Sequence, residues 1–303
     1  MSSSKFPSSA EIRFGLAGWS YPDWKGIFYP KRKPRGFTEL GYVSEFFDTV
    51  EINTSFYSPL LPDYCLQWID QVSANPRFLF SAKLWQKFTH ELITTREDEK
   101  VVRAGFDVLR NAGKLGAVLL QLPFSFHRNA ENIGRLKKLF IQFKDYPLVV
   151  EVRHGTWNDQ SFYDLLAERG VGFCNIDQPV IGNSLEPSGH VTSPVGYVRF
   201  HGRRYDTWFN DDPEIPAYER YNYLYSTEEL KPWVTRIESM ERRCKSIFVI
   251  TNNGYTAKAA VTALMLMSML KKSKVSVPEP LREHYPGLEP IADKPRESPT
   301  LFS

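Results

Sequence analysis

Several charged side chains of this sequence stand at the ends of apolar, strand-like runs. Glu51 lies in VEINTSF, Lys83 in FLFSAKLW and Glu151 at the end of PLVVE. Carboxylates, amines and imidazoles at strand ends can transfer protons, attack electrophiles or bind a metal ion. The catalytic candidates chosen on this basis are Glu51, Lys83, Glu151, Asp177 and His201.

A second set of residues at the same strand ends is suited to binding a substrate. Guanidinium groups form paired hydrogen bonds with phosphates and carboxylates, amides bind polar groups, and aromatic rings lie against sugars or bases. The substrate-binding candidates are Trp19, Tyr21, Asn53, Gln121, Arg153, His154, Arg199, Asn252 and Asn253.

Eight apolar runs of strand length must position these residues. The predicted strands are Arg13–Ser20, Val50–Phe56, Phe78–Trp85, Gly116–Leu122, Leu148–His154, Val171–Asp177, Tyr197–His201 and Ile247–Asn252. Strand–helix alternation of this length is typical of an α/β fold, and eight units predict a single (β/α)8 TIM barrel over residues 11–272. The loops that follow barrel strands carry the active sites of such folds.

Helix-sized segments separate most of the strands. The predicted helices are Phe37–Phe47, Tyr64–Val72, Glu97–Asn111, Asn132–Phe143, Ser161–Arg169, Thr227–Arg242 and Thr256–Leu270. Residues 178–194 are rich in Gly, Pro and Ser, so the sixth helix is expected to be short or missing. Residues 1–10 are predicted to be disordered, and residues 273–303 to form a Pro-rich tail that is disordered or laid over the barrel.

The alternation of side chains along a strand predicts which ones face the barrel interior. It turns inward the acids Glu51, Glu151 and Asp177, the bases Lys83, Arg153 and Arg199, and the polar residues Asn53, Ser55, Ser81, Gln121, Asn175, Tyr197 and His201. Buried charges are costly unless paired, so we expect a network of ion pairs and hydrogen bonds. The alternative to a functional network is one that only fills a polar barrel centre.

Composition and charge argue against a nucleic-acid module, a disulfide-rich protein and a membrane protein. The formal net charge of +3 is small for a nucleic-acid module, and three widely spaced cysteines form no CxxC pair. The N-terminus lacks the apolar core of a secretory signal, and the longest apolar run is too short to span a bilayer. We therefore expect a soluble protein of a reducing compartment, cytoplasmic with the nucleus as the alternative, and no membrane partner.

Seven motifs resemble those of the YecE-like family, domain of unknown function 72. They are GWSYPDWKGIFYP at 18–30, VEINTSFY at 50–57, FSAKLWQKFTH at 80–90, LGAVLLQLPFSF at 115–126, VVEVRHGTW at 149–157, YVRFHGR at 197–203 and ITNN at 250–253. The resemblance covers Phe14 to Leu270 in order. It implies a TIM barrel, and it implies little about activity because the family is named for lacking one.

The predicted interior residues are compatible with three functions: glycoside hydrolysis, binding of a divalent metal and binding of an anion. Glu51 and Glu151 could serve a glycosidase, although the neighbouring cations would keep both ionised, which is unfavourable for an acid catalyst. The histidines and carboxylates are of the types that bind a divalent metal, the cofactor these residues could hold, although no HxH or HExxH spacing supports it and three cations oppose it. Anion binding is favoured by the interior cations and by basic residues expected on one sector of the catalytic face: Lys31, Arg32, Lys33, Arg35, Arg203 and Arg204.

The leading hypothesis is an enzyme that binds a phosphate-bearing substrate, a nucleotide or nucleic acid, with hydrolysis as the reaction class. Aromatic residues in the loops after strands 1 and 7 support it, because rings beside cations suit a nucleobase or a sugar. The alternatives are a metal-independent enzyme acting on a sugar or small acid, with Glu51 or Glu151 as base, and a non-catalytic barrel that binds a ligand or a protein.

Overall fold

The protein folds into a closed barrel of eight parallel strands. The computed structural model describes residues 9–293 except 92 and 211. The strands are β1 (Glu11–Ala17), β2 (Thr49–Ile52), β3 (Leu79–Lys83), β4 (Leu115–Gln121), β5 (Leu148–Glu151), β6 (Gly172–Asp177), β7 (Val195–Phe200) and β8 (Ser246–Thr251). Each pairs with the next, and β8 closes the barrel against β1. The predicted TIM barrel is confirmed.

Helices surround the strands. They are α1 (Glu39–Phe46), α2 (Pro62–Gln71), α3 (Arg96–Asn111), α4 (Ala130–Gln142), α5 (Gln160–Arg169), α6 (Thr227–Glu241), α7 (Lys258–Lys271) and α8 (Glu279–His284). Residues 178–194 form no helix, as the glycines and prolines of that segment predicted. Among the described helices, none is long and apolar enough to cross a membrane.

Side-chain caps fix where several helices begin. Thr95 accepts a hydrogen bond from the backbone of Asp98, whose carboxylate accepts one in return, and Ser226 and Glu229 form the same capping box. These pairs satisfy backbone groups that a helix start leaves without partners. Gly170 ends α5 with φ 64°, a left-handed conformation that glycine adopts without steric cost.

Several strands are shorter than predicted at their carboxyl ends. β2 stops at Ile52 and β5 at Glu151, because short 3₁₀ turns follow at Thr54–Phe56 and Gly155–Trp157. The backbone of these turns bonds locally, as from Phe56 N to Asn53 O, rather than to a neighbouring strand. The turns place short polar loops directly above the barrel mouth.

Apolar rings close the amino-terminal end of the barrel. The Phe248 ring stacks on Tyr197 with centroids 5.9 Å apart. Gly116 faces this ring, and a Cβ there would overlap it, so the position requires glycine. Arg13 of β1 is also buried at this end, with its guanidinium 6.0 Å from the Phe248 ring, whereas the glutamates and Arg199 lie nearer the carboxyl ends of the strands.

Residues 273–293 lie against the barrel. Leu281 of α8 and Leu288 of the following 3₁₀ turn are buried, and Tyr285 donates a 2.7 Å hydrogen bond to the carbonyl of Thr256. For residues 273–293, these contacts favour a tail that packs on the barrel over a disordered one. Residues 294–303 and 1–8 lie outside the described residues, and Ala10, inside the segment predicted to be disordered, is buried.

Candidate functional site

Arg199 of β7 is the hub of the charged interior. Its side chain is fully buried, and its guanidinium lies 2.7 Å from Glu51 Oε1 and 2.5 Å from Glu151 Oε2. Gln121 Oε1 accepts a weaker bond from the same group at 3.4 Å. The planar fork of an arginine can hold two carboxylates at once, so one residue fixes both glutamates.

Glu51 also has hydrogen-bonding partners on the side that faces the amino-terminal end of the barrel. Tyr197 donates a 2.9 Å hydrogen bond to Glu51 Oε2, and Ser81 lies 2.8 Å from the Tyr197 hydroxyl. Every one of these side chains is buried. The carboxylate therefore sits in a fixed position on a polar layer that covers the apolar filling.

Glu151 is surrounded by nitrogen atoms. Arg153 Nη2 lies 2.9 Å from its Oε1, and His201 Nε2 lies 3.3 Å from the same oxygen. Burial alone would raise the pKa of Glu151, but the charges of Arg199, His201 and Arg153 hold it well below its usual range. Glu151 is consequently a carboxylate, unsuited to serve as a general acid.

His201 is a neutral imidazole. Burial lowers its pKa to about 3, more than the Glu151 carboxylate can offset. Asn252 Nδ2 lies 3.1 Å from Nδ1. Arg199 Nη1 and Glu151 Oε1 each lie 3.3 Å from Nε2, so the neutral ring contacts the arginine, the glutamate and Asn252 at once, which fits a histidine that orients its neighbours rather than adding charge.

Lys83 lies at the edge of this network. Its Nζ is 3.6 Å from Glu51 Oε1, and its side chain is 12% exposed. Burial lowers its pKa to about 8, an effect that Glu51 opposes and Arg199 reinforces. Lys83 is thus the interior cation that changes protonation state nearest to neutral pH.

Above Lys83 opens a cleft of about 590 Å³, which we call the tyrosine cleft. It is lined by Tyr21, Pro22, Asp23, Asn53, Tyr57, Lys83, Tyr218, Tyr221, Asn252, Gly254 and Tyr255. Five of these side chains are tyrosines, and Tyr218 stacks on Tyr255 with centroids 4.4 Å apart. The cleft offers a ring-shaped ligand aromatic faces and places an amine at one wall.

The loop between β7 and α6 covers the interior charges. Trp208 of this loop is almost fully buried. Its ring lies 5.7 Å from the Arg153 guanidinium and 6.0 Å from the ring of His201. Aromatic cover of this kind excludes water and strengthens the ion pairs beneath it.

The structure brings together most of the candidates predicted from sequence. Those that share the interior network or line the tyrosine cleft are Glu51, Lys83, Glu151, His201, Tyr21, Asn53, Gln121, Arg153, Arg199 and Asn252. Their roles stay predictions, because position alone does not establish catalysis.

The prediction that Asp177 and Asn175 face the interior is wrong. Asp177 accepts hydrogen bonds from Arg203, Tyr225 and Trp233, the last on α6, and Asn175 Nδ2 reaches Met240 of the same helix. On β6 it is Cys174 whose side chain reaches inward, toward Glu151. The buried polar partners in the helix layer reverse the parity expected from the apolar pattern.

Three substrate-binding candidates are engaged elsewhere. Trp19 packs edge-on against Trp68 of α2, and His154 lies over the His127 ring with centroids 3.9 Å apart. Asn253 is buried and donates to Tyr223 O and to Thr262 of α7. These residues shape the loops, and the lining of the tyrosine cleft does not include them.

The prediction that the basic loop after β1 shares one sector of the catalytic face with Arg203 and Arg204 is wrong for Arg35. Arg35 lines a groove with Asn75 and Pro76, which precede β3 and so lie toward the opposite end of the barrel. Lys33 pairs with Glu39 at 2.8 Å. The loop after β1 runs down the outside of the barrel, because Phe28 packs against Phe47 at the end of α1.

The two arginines after β7 are bound to acids. Arg203 forms two hydrogen bonds with Asp177, of 2.9 and 2.6 Å, and Arg204 pairs with Asp206 and Glu219. These pairs brace the covering loop. Neither arginine lines the tyrosine cleft.

A divalent metal does not fit these residues. Among residues 9–293 as described, no group of three or more His, Cys, Asp and Glu side chains could hold a metal ion. The oxygens of Glu151, which lies beside His201, are already paired with Arg199 and Arg153.

Sequence reasoning missed Asp23 and Tyr255 in the cleft. Asp23 Oδ2 accepts a 2.7 Å hydrogen bond from the backbone of Thr256, and this bond joins the loop after β1 to the start of α7. The turn is unusual, since Thr256 and Ala257 both have positive φ, 51° and 60°. A Gly-Tyr pair directly after the two asparagines of ITNN was the available signal.

Comparison with known proteins identifies related chains. The family model described as "Protein of unknown function DUF72" matches residues 13–285. UPF0759 protein YunF of Bacillus subtilis is 28% identical over 86% of this chain and 94% of its own, and UPF0759 protein YecE of Escherichia coli O157:H7 is 30% identical over 68% and 69%. A solved DUF72 family protein from Thermotoga maritima superposes with a TM-score of 0.75 at 30% identity, covering 86% of this chain and 99% of that one.

Proposed function

Because the chain belongs to the DUF72 family, whose description states no activity, we propose from its own site that it is an enzyme acting on a small anionic substrate in the tyrosine cleft. The substrate class we propose is a phosphate-bearing molecule of nucleotide or sugar size. Small acids carrying a carboxylate share the same chemistry of recognition.

An excess of positive charge in the buried layer beneath the cleft carries this proposal; the carboxylate of the cleft lining itself, Asp23, lies outside that layer, is half-buried and accepts a hydrogen bond from the backbone of Thr256. With Asp177 outside the interior, the carboxylates of Glu51 and Glu151 face the cations Lys83, Arg153 and Arg199, while His201 is neutral. Buried charges are stable when balanced, so one further negative charge beside Lys83 would complete the layer. Lys83 is the member of that layer that lines the cleft.

The tyrosines of the cleft support a ligand with a ring. Tyr21 and Tyr57 follow β1 and β2, and Tyr218 and Tyr221 come from the covering loop. Rings and hydroxyls together suit a sugar or a base. A polynucleotide has less support, because the basic cluster at Lys31–Arg35 lies away from this cleft.

Lys83 is the group best placed for proton transfer. The glutamates are held by Arg199, whereas an amine with a pKa of about 8 is partly neutral near pH 7. In hydrolysis, the reaction class predicted from sequence, the neutral amine would take a proton from the attacking water; on a substrate with an aldehyde or ketone group, the same neutral amine would instead attack the carbonyl carbon. We expect this chemistry in a reducing cytoplasm, since the three cysteines are free and buried.

Thermal unfolding with candidate ligands tests the proposal. We expect inorganic phosphate, ribose 5-phosphate and adenosine monophosphate to raise the melting temperature, with a hundredfold excess over Kd adding about 2.7 kcal/mol. Lys83→Met should abolish the shift. Lys114→Met should retain it, because Lys114 binds backbone carbonyls before β3, outside the cleft.

Two results would contradict the proposal. One is the absence of any shift in the wild-type protein at millimolar phosphate or phosphate ester. The other is an equal shift in the Lys83→Met variant, which would place the anion elsewhere. A shift produced only by a single-stranded oligonucleotide would favour the nucleic-acid hypothesis instead.

A further inference from the structure

We infer that Lys83 is a nucleophile that forms an imine with an aldehyde or ketone group of the anionic substrate. This inference rests on the proposed function and specifies its substrate class: a carbonyl compound that carries a phosphate or carboxylate. The residues that support it are Lys83, Glu51, Arg153 and Arg199, with Tyr21 and Asn53 in the lining of the same cleft.

The position of the amine is the first support. Lys83 is the last residue of β3, so its backbone is fixed by the barrel and its Nζ is presented at the wall of the tyrosine cleft. The Lys83 backbone N–H donates 2.8 Å to Ser55 Oγ, which further fixes the strand end. A nucleophile on a rigid strand is held at constant geometry for attack.

The weak pairing of the amine is the second support. Glu51 Oε1 is 3.6 Å from Nζ, beyond ordinary hydrogen-bond length, and it already binds Arg199 at 2.7 Å. The Phe56 ring also faces the amine, with 5.6 Å from Nζ to its centroid. A lysine without a tight carboxylate partner in a desolvated site is the kind that proteins use for covalent catalysis.

Burial makes the neutral amine of Lys83 accessible, and the surrounding charges act in both directions. Arg199 on β7 and Arg153 after β5 disfavour a third positive charge, whereas Glu51 on β2 and Glu151 on β5 favour it. Burial is the largest effect, and the resulting pKa of about 8 makes roughly a hundredfold more of the amine neutral at pH 7 than in an exposed lysine. Burial lowers the pKa of His90, and the charges of Arg153 and Lys83 lower it further, so His90 adds no positive charge near pH 7.

Formation of the imine leaves the positive charge on the nitrogen of residue 83 unchanged. The neutral amine attacks the carbonyl carbon, the C–N bond forms as the C=O π pair moves to oxygen, and the carbinolamine then loses that oxygen as water. One proton passes from the attacking nitrogen to the oxygen, and the proton that the ammonium released to become the neutral amine returns to the same oxygen, so that it leaves as water. An ammonium and a carbonyl thus become an iminium and water, and the iminium keeps the positive charge opposite Glu51.

Reductive trapping with pyridoxal 5′-phosphate tests the inference. This probe combines an aldehyde, a phosphate and a ring. The wild-type protein is treated with a substoichiometric amount, reduced with borohydride and mapped by peptide mass spectrometry. We expect Lys83 to be labelled at least about tenfold faster than Lys114 or any other lysine, as its lower pKa requires, and pyridoxine 5′-phosphate, which has no aldehyde, to protect it.

The controls separate this inference from the proposed function. Lys83→Arg keeps the charge and should bind phosphate in the thermal assay while losing the label, whereas Lys114→Arg should be labelled as the wild type. Labelling of Lys83 no faster than of other lysines, in protein whose melting temperature rises with phosphate, would overturn the imine and leave the anion site standing. Fast labelling of Lys83 that neither phosphate nor pyridoxine 5′-phosphate slows would support the nucleophile and contradict the anion site.

Discussion

Arg199 Nη2 lies 2.7 Å from Glu51 Oε1, and neither side chain has any exposed surface. The two residues come from β7 and β2, between which β8 and β1 complete the barrel. Their contact therefore crosses the barrel interior and links strands that are not hydrogen-bonded to each other. Arg199 also binds Glu151 of β5, so three strands share one guanidinium.

Removing one partner of this group should destabilise the protein strongly. We expect Arg199→Ala or Glu151→Ala to lower the free energy of unfolding by about 3–5 kcal/mol, because each leaves a buried charge unpaired. Chemical denaturation measures this loss. Lys100→Ala is the control: its partner Glu97 and Lys100 itself are both largely exposed, so the change should stay below about 0.5 kcal/mol. Variants as stable as the wild type would show that water reaches the network.

Asp177 should matter for stability rather than for ligand binding. Asp177→Asn weakens three hydrogen bonds, from Arg203, Tyr225 and Trp233, and leaves Arg203 short of a buried counter-charge. We expect a loss of about 3 kcal/mol in unfolding free energy. The increase in melting temperature caused by phosphate should persist, and its loss would return Asp177 to the candidate site.

His201 should make the protein less stable in mild acid. The folded state keeps the ring neutral down to about pH 3, while the unfolded chain takes up a proton below about pH 6.5. The unfolded state therefore binds more protons in that interval, and stability falls as pH decreases, by up to about 1.4 kcal/mol per pH unit for one histidine.

The slope of unfolding free energy between pH 6.5 and 5 measures this effect. Burial also lowers the pKa of His90, His154 and His190, so the wild-type slope contains their contributions in the same direction. His201→Gln should reduce the slope by the contribution of one histidine, up to about 1.4 kcal/mol per pH unit. Replacement of the exposed His284 by Gln, which leaves the interior intact, should not remove that contribution. An unchanged slope in His201→Gln would show that the ring is protonated in the folded state.

The basic cluster of residues 31–35 should be independent of the tyrosine cleft. Replacing Lys31, Arg32, Lys33 and Arg35 with Ser should leave the phosphate-induced increase in melting temperature unchanged, because these residues do not line the cleft. If the protein binds a short single-stranded oligonucleotide, the same replacement should flatten the salt dependence of binding. Loss of the phosphate response would instead return the cluster to the site.

The order of strands and most of the interior could be predicted from the sequence. Apolar runs and alternation locate Glu51, Lys83, Glu151 and Arg199, because a strand side chain has only two faces to choose from. Alternation failed on β6, where Asp177 finds buried donors on α6 and in the covering loop. No local pattern could reveal those donors, since they come from residues 26 to 56 positions later.

The loops were the least predictable part of the site. The segment after β1 carries aromatic and basic residues that suggested one surface, but Phe28 anchors it to α1 and draws the basic part away from the barrel mouth. Asp23, in the same loop, remains at the mouth and bonds the α7 turn. Such a division depends on tertiary packing and has no periodic signature.

The central position of Arg199 in the ion-pair network affects how the protein can fold during synthesis. A ribosome releases Glu51, Lys83 and Glu151 long before Arg199, and closure of the barrel awaits β8, which pairs Ser246 with Glu11. During synthesis Glu51 and Glu151 are exposed to solvent before Arg199 is available to pair with them. Burying either carboxylate is therefore unfavourable until about two thirds of the chain has been made. Contacts so distant in sequence slow folding. The interior charges thus favour assembly of the barrel as a late, concerted event over stepwise burial from the amino terminus.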